Sequence, residues 1–372
     1  MSPLTVTFDI PAKILMGLAD GSLVRNGGVI QNASGQVVMW LREVGTPSVS
    51  SVGAMSSVSS VMLSASALSL GVSAIGFAVI LKRLKELEGR LEKVQEYLEK
   101  IDKKIDLSFY ANFRAALDLA MNSFTMSKGE NRRSSALSAI NRFLEAEHIY
   151  ADLTDKELAI NSQISDEYLL TLCLAYIAEA RCYMELEEFD TAIRRFQEGK
   201  ERINTRIEKY IGLLLTSKPL MYLHPELKGK TDLSRLTRIY QWKDPILTES
   251  SVFELIRDGL SPRHDMWWSA QINEWIDSLP ASIVERKNIK TGIWGITEEG
   301  REEIIQNLPE TLTEMESMIE TSRRFTAYEI EVRAISKLGI SFSEWLQLQP
   351  SESKEGEKGL MYIIPKEPLS LS

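Results

Sequence analysis

The sequence predicts a mainly α-helical protein with a small N-terminal α+β cap, one transmembrane helix continuing into a coiled coil, and then a helical cytosolic domain. Three observations carry that expectation. Between Glu43 and Lys82 lie 38 consecutive residues without Asp, Glu, Lys, Arg or His, in a chain of which 26% is charged. Immediately after them, apolar residues recur at alternating spacings of three and four as far as Ile105. From Leu107 to about Leu215 helical spacing persists with few breakers.

A chain of 372 residues and 42.0 kDa suggests two or three structural units. Its 44% hydrophobic content is ordinary globular usage and excludes wholesale disorder. Two cysteines, Cys173 and Cys182, cannot build a disulfide framework in a chain this long. His148, His224 and His264 are too dispersed to form a local metal cluster. A net charge of −9 argues against a general nucleic-acid coat.

Residues 1–43 read as the cap. Leu4 to Phe8 suits a strand by β-propensity and alternation, and Pro11 suits the first turn of a short helix ending near Gly17 or Asp20. Gly28–Gln31 and Gln36–Leu41 flank Asn32–Gly35, a hairpin signal.

Residues 44–60 form a Ser/Gly-rich linker, and residues 61–81 the predicted transmembrane helix. That segment holds 15 apolar residues, four serines and two glycines. As a helix its 21 residues rise about 31 Å, close to the hydrocarbon thickness of roughly 30 Å. A signal peptide is excluded by its position far from the N-terminus. A buried helix or hairpin in a protein core is the competing reading. Ala67, Gly71, Ala74 and Ala78 share one helix face and would let helices pack closely in lipid. Lys82, Arg83 and Lys85 follow at once, so the positive-inside rule puts the C-terminal domain in the cytoplasm of a single-pass inner-membrane protein, with the cap across the bilayer.

Residues 82–106 read as a coiled coil. With Phe77 at position a, Leu84, Leu91 and Leu98 occupy a, Ile80, Leu87, Val94 and Ile101 occupy d, and Ile105 continues the seam. Leucine at a with β-branched residues at d shifts preference from dimers to tetramers. The same stripe also suits an amphipathic helix packed on its own domain. Extended backwards, the heptad places Ser73, Leu70, Ser66, Leu63 and Ser59 on the bundle axis with Phe77. Rings of serine can support ions, and rings of Leu70 and Phe77 can close a pore by dewetting.

Residues 107–215 then read as helices with junctions near Gly129 and between Asp152 and Asp155. Ala180, Tyr183, Phe189, Ala192 and Phe196 fall at the positions that a tetratricopeptide unit uses for its helix crossing and aromatic filling, with a small residue at Gly199. Residues 173–206 resemble one such unit, which implies a stacked helical hairpin. Residues 216–346 form a tryptophan-rich helical domain. Trp242, Trp267, Trp268, Trp275 and Trp294 suit either a compact core or a stacking platform. Within it, Glu298 to Leu338 reads as a long helix or helix pair interrupted near Pro309 and ending at Gly339. Residues 347–372 read as a flexible tail with a short apolar patch at Leu360–Ile364.

No catalytic motif emerges. Lys228-Gly229-Lys230-Thr231 lacks the first glycine of a phosphate-binding loop, and His264-Asp265 has no nearby nucleophile. An enzyme is not expected, nor a cofactor. The combination of cap, apolar segment and helical domain resembles membrane effectors of bacterial anti-phage defence, on architecture over residues 1–105. That resemblance implies a membrane-embedded homo-oligomer, an ion-conducting pore gated by the cytosolic domain. Its implied partners are further copies of the chain (a tetramer), the lipid bilayer and a cytosolic activator that is a protein, nucleotide or oligonucleotide. Arg132-Arg133, Arg194-Arg195 and Arg323-Arg324 are candidate anion contacts. The alternative is a soluble or membrane-attached helical scaffold that recruits a partner protein.

Overall fold

The computed structural model describes residues 4–44, 77–98, 108–215, 219–258, 289–292, 295–348 and 359–371. The N-terminal elements are β1 (Leu4–Thr7), α1 (Ala12–Ala19), β2 (Leu23–Asn26), β3 (Val29–Asn32) and β4 (Val37–Val44). Helices follow: α2 (Phe77–Leu98), α3 (Ser108–Thr125), α4 (Gly129–Ala159), α5 (Ser165–Glu185), α6 (Phe189–Leu215), α7 (Leu233–Lys243) and α8 (Glu249–Asp258). A two-residue hairpin pair, β5 (Thr291–Gly292) and β6 (Gly295–Ile296), precedes α9 (Glu298–Leu338), α10 (Phe342–Leu346) and β7 (Gly359–Pro365).

The apolar patch near the C-terminus belongs to the sheet and not to a loose tail. β7 inserts between β1 and β4 in a five-stranded antiparallel sheet of order β1-β7-β4-β3-β2. Ile363 pairs with Val6 on one side and Trp40 on the other. Met361 and Ile363 face the helical core, while Tyr362 packs on the other face with Ile14, Ile30, Met39 and Leu41. Alternating sides along a strand explain this split.

The expected fold class is corrected at its centre. Among the described residues no helix is long and apolar enough to cross a membrane. Val29, Val37 and Trp40 of the sheet share one hydrophobic core with the helical residues. The cap and the helical domain therefore form a single body, and strand pairing across it rules out a bilayer between them. The single-pass inner-membrane localisation, with the C-terminal domain cytoplasmic and the cap opposite, falls with it. Of the proposed pore-lining residues, Ser59, Leu63, Ser66, Leu70 and Ser73 lie outside the described residues, as do Ala67, Gly71 and Ala74 of the packing face. Phe77 and Ala78 open α2.

The coiled-coil seam is also placed differently. Ile80, Leu84, Leu87 and Leu91 are buried in the chain's own core, where α2 packs against α3 and α5. Val94 and Leu98 continue α2, and Ile101 and Ile105 lie outside the described residues. Seven-residue spacing is compatible with both environments, because over three turns it marks the same side of the helix.

α3 to α6 run as consecutive antiparallel neighbours, since the links between them are only a few residues long. α5 lies at the centre, buried along nearly its whole length. The hairpin anticipated over residues 173–206 is formed by α5 and α6. A Cβ at Gly199 would lie 2.8 Å from Tyr176 Cδ1, so the absent side chain lets α6 approach the tyrosine ring. The interruption expected near Pro309 is not found: α9 runs unbroken through it and lies along α6, with the rings of Phe325 and Tyr328 packed against Phe196. It ends at Gly339, whose φ of 64° is the left-handed cap conformation that glycine adopts without steric cost.

Candidate functional site: buried charge at two helix junctions

The densest polar chemistry among the described residues lies inside the helical stack. The first cluster sits where α4, α5 and α6 meet. Arg195 of α6 reaches Glu147 of α4 at 2.5 Å and Glu179 of α5 at 2.6 Å, and also pairs with Glu198. Its guanidinium lies 5.2 Å from the Tyr176 ring centroid, a cation–π distance. Glu147 and Glu179 are almost fully buried, whereas Glu198 stands at the solvent edge. Burial, then the charge of Glu179, pushes the Glu147 carboxyl up to about 9. Burial also raises Glu179, against the pull of Arg195. Glu147 Oε1 and Glu179 Oε1 have no hydrogen-bond partner among the described residues, and a proton on Glu147 lowers the charge buried there.

The second cluster joins α2, α5, α6 and α9. Arg90 of α2 pairs with Glu167 at 2.7 Å. Asp166 and Glu167 open α5, and Glu314 approaches from α9 beside Tyr210 of α6. All four are nearly inaccessible to solvent. Burial raises Asp166 to about 6 even with Arg90 nearby, and raises Glu314 to about 8 with Asp166 adding to the effect. Three carboxyl groups thus share one guanidinium. Full ionisation would leave two uncompensated charges in a low-dielectric interior, so protons are retained.

A third junction fixes the sheet to the helices. The buried Arg42 donates from Nη1 to the Trp345 carbonyl at 2.9 Å, and Trp345 Nε1 donates to Glu331 at 2.5 Å. Arg25 of β2 pairs with Glu320 of α9 at 2.7 Å.

These positions revise the basic doublets. Arg132 and Arg133 are exposed on α4, and Arg194 is exposed on α6. Arg195, largely covered, and Arg324, buried, are engaged in ion pairs, which removes them as free anion contacts. Trp242 packs against the core, while Trp267, Trp268, Trp275 and Trp294 lie outside the described residues. Cys173 and Cys182 are both buried, and burial pushes both thiols up. Among the described residues no three His, Cys, Asp or Glu side chains converge closely enough to hold a metal ion.

Sequence reading passed over the buried carboxylates because acidic residues on helices are usually solvated. A signal existed in their spacing. Glu147 falls between Phe143 and Tyr150 on the apolar face of α4, and Glu179 falls between Ala175 and Cys182 on α5. No known protein family, curated protein or solved structure matches this chain.

Proposed function

We propose that the protein is a helical adaptor that recruits a partner protein through the exposed end of its stacked hairpins. One observation carries this reading. The Arg195 ion pairs join α4, α5 and α6, and the α4 end of the stack presents Arg132 and Arg133 beside the turn between α5 and α6. Arg133 touches Glu188 of that turn at 3.3 Å with both side chains largely exposed. Exposed guanidiniums on an otherwise acidic protein favour an acidic segment of the partner, through charge-assisted and bidentate hydrogen bonds.

Affinity capture from the native host tests this, comparing the wild-type chain with the double variant Arg132→Glu, Arg133→Glu. The reading expects a defined set of proteins retained by the wild type and lost from the variant. Identical sets, or no retained protein, would count against it. Dye release from lipid vesicles by the purified chain alone would instead favour a pore-forming effector.

A further inference from the structure

The sequence of α2 and its packing ask for different surroundings. Leu84, Leu91 and Leu98 lie one heptad apart, with Ile80, Leu87 and Val94 between them, and Ile101 and Ile105 extend the pattern. A straight α-helix drifts about 20° per heptad against such a repeat. Packing on a globular core does not require it, whereas winding around like helices does. Yet Ile80, Leu84, Leu87 and Leu91 are only 2, 0, 1 and 0% exposed, covered by the chain's own core.

The polar contacts that hold α2 in place are unbalanced. Arg90 meets Asp166 and Glu167 from α5 and Glu314 from α9, three buried carboxyl groups against one guanidinium. Both Asp166 oxygens, Glu314 Oε1, the Tyr210 hydroxyl and Arg90 Nε have no hydrogen-bond partner among the described residues. Buried polar atoms without partners are unfavourable, and hydration relieves them. Departure of α2 would admit water to all of them. Opposing departure are the Arg90–Glu167 pair, the Glu88–Arg114 contact at 2.6 Å and the leucine stripe itself.

We propose that α2 is a releasable helix whose leucine face, once the Arg90 contact opens, pairs with the same face of α2 in a second copy of this chain. The heptad identifies the occupant. Leucine at a and Ile, Leu or Val at d are self-complementary, and Arg83 at g would oppose Glu88 at e of a parallel neighbour. In the observed state both charges are engaged within the chain, Arg83 with Glu86 and Glu88 with Arg114. Release therefore exchanges one set of partners for another. This pairing does not depend on the adaptor reading, since it involves no second protein.

The test uses the purified full-length chain carrying Leu91→Cys, oxidised under mild conditions, in wild-type, Arg90→Ala and Glu314→Gln backgrounds. Native Cys173 and Cys182 lie on α5, against which α2 packs, so both are replaced by Ala in every background. Removing Arg90 is expected to raise the yield of disulfide-linked dimer about tenfold, the factor set by one charge-assisted contact. At a pH above about 8, where Glu314 gives up its proton in the docked state, Glu314→Gln removes one surplus carboxylate and is expected to lower the yield below wild type. Equal yields in all three backgrounds would overturn the proposal. If Arg90→Ala loses its native circular dichroism, the Glu314→Gln arm decides alone, and an undiminished yield there is the overturning result.

Discussion

Trp40 of β4 and Trp345 of α10 meet edge to face, with ring centroids 5.4 Å apart and ring planes at 85°. Arg42, two residues along β4, lies with its guanidinium 5.1 Å from the Trp345 ring centroid. Residues 305 positions apart in sequence thus lock the sheet to the helical stack. Trp345→Ala removes the edge contact, the cation–π contact and the donor to Glu331 together. It is expected to cost about 3–5 kcal/mol, as large-to-small core substitutions do. Urea denaturation followed by circular dichroism measures it, and a loss under about 1 kcal/mol would show that the two parts do not depend on this junction.

Removal of residues 359–372 tests the place of β7. The deletion unpairs β1 and β4 along their facing edges and takes Met361 and Ile363 out of the core. The expected product aggregates or unfolds, because exposed strand edges template association. A truncated chain with an unchanged melting transition would return these residues to the status of a tail.

Two glycines on α6 should respond to alanine in opposite directions. Gly199→Ala forces the Tyr176 ring to move and is expected to destabilise by about 1–3 kcal/mol. Gly212→Ala meets nothing within 4 Å and is expected to stabilise by about 0.5–1 kcal/mol through helix propensity. Thermal melts of both variants check the pair. Equal and opposite signs to these would discard the close crossing of α5 and α6.

Stability should fall as the solution becomes alkaline. Folding raises Asp166 from 3.8 to about 6, Glu314 from 4.5 to about 8 and Glu147 from 4.5 to about 9. In each case the folded state holds a proton that the unfolded chain has released. The stabilising contribution is complete below the unfolded values and is lost as pH climbs through the folded ones. The urea midpoint is therefore expected to decline from about pH 5 to about pH 9. Glu147→Gln, which cannot ionise, should flatten the upper part of that decline. A midpoint that rises over the same range would contradict the protonated assignment.

Local order was legible in the sequence. The turn at Asn32–Gly35, the limits of α9 at Glu298 and Gly339 though not its continuity through Pro309, and the small residue at Gly199 follow from turn chemistry, helix periodicity and close packing. These depend on neighbours a few residues away. The seven-residue stripe on α2 was legible too, but not what covers it. A stripe states that one face must leave water; it is silent on whether the cover comes from α3 and α5 of the same chain or from another molecule.

Tertiary structure alone decided the long-range relations. Ile363 pairs with Val6 and Trp40 only because β7 closes the sheet, and nothing local to Leu360–Ile364 names strands more than three hundred residues away. The buried carboxyl clusters belong to the same class. Glu147, Glu179 and Arg195 are separated by tens of residues, and their protonation depends on the low-dielectric interior that three packed helices create around them. Sequence fixes which groups can hold a proton, and burial against one another decides whether they do.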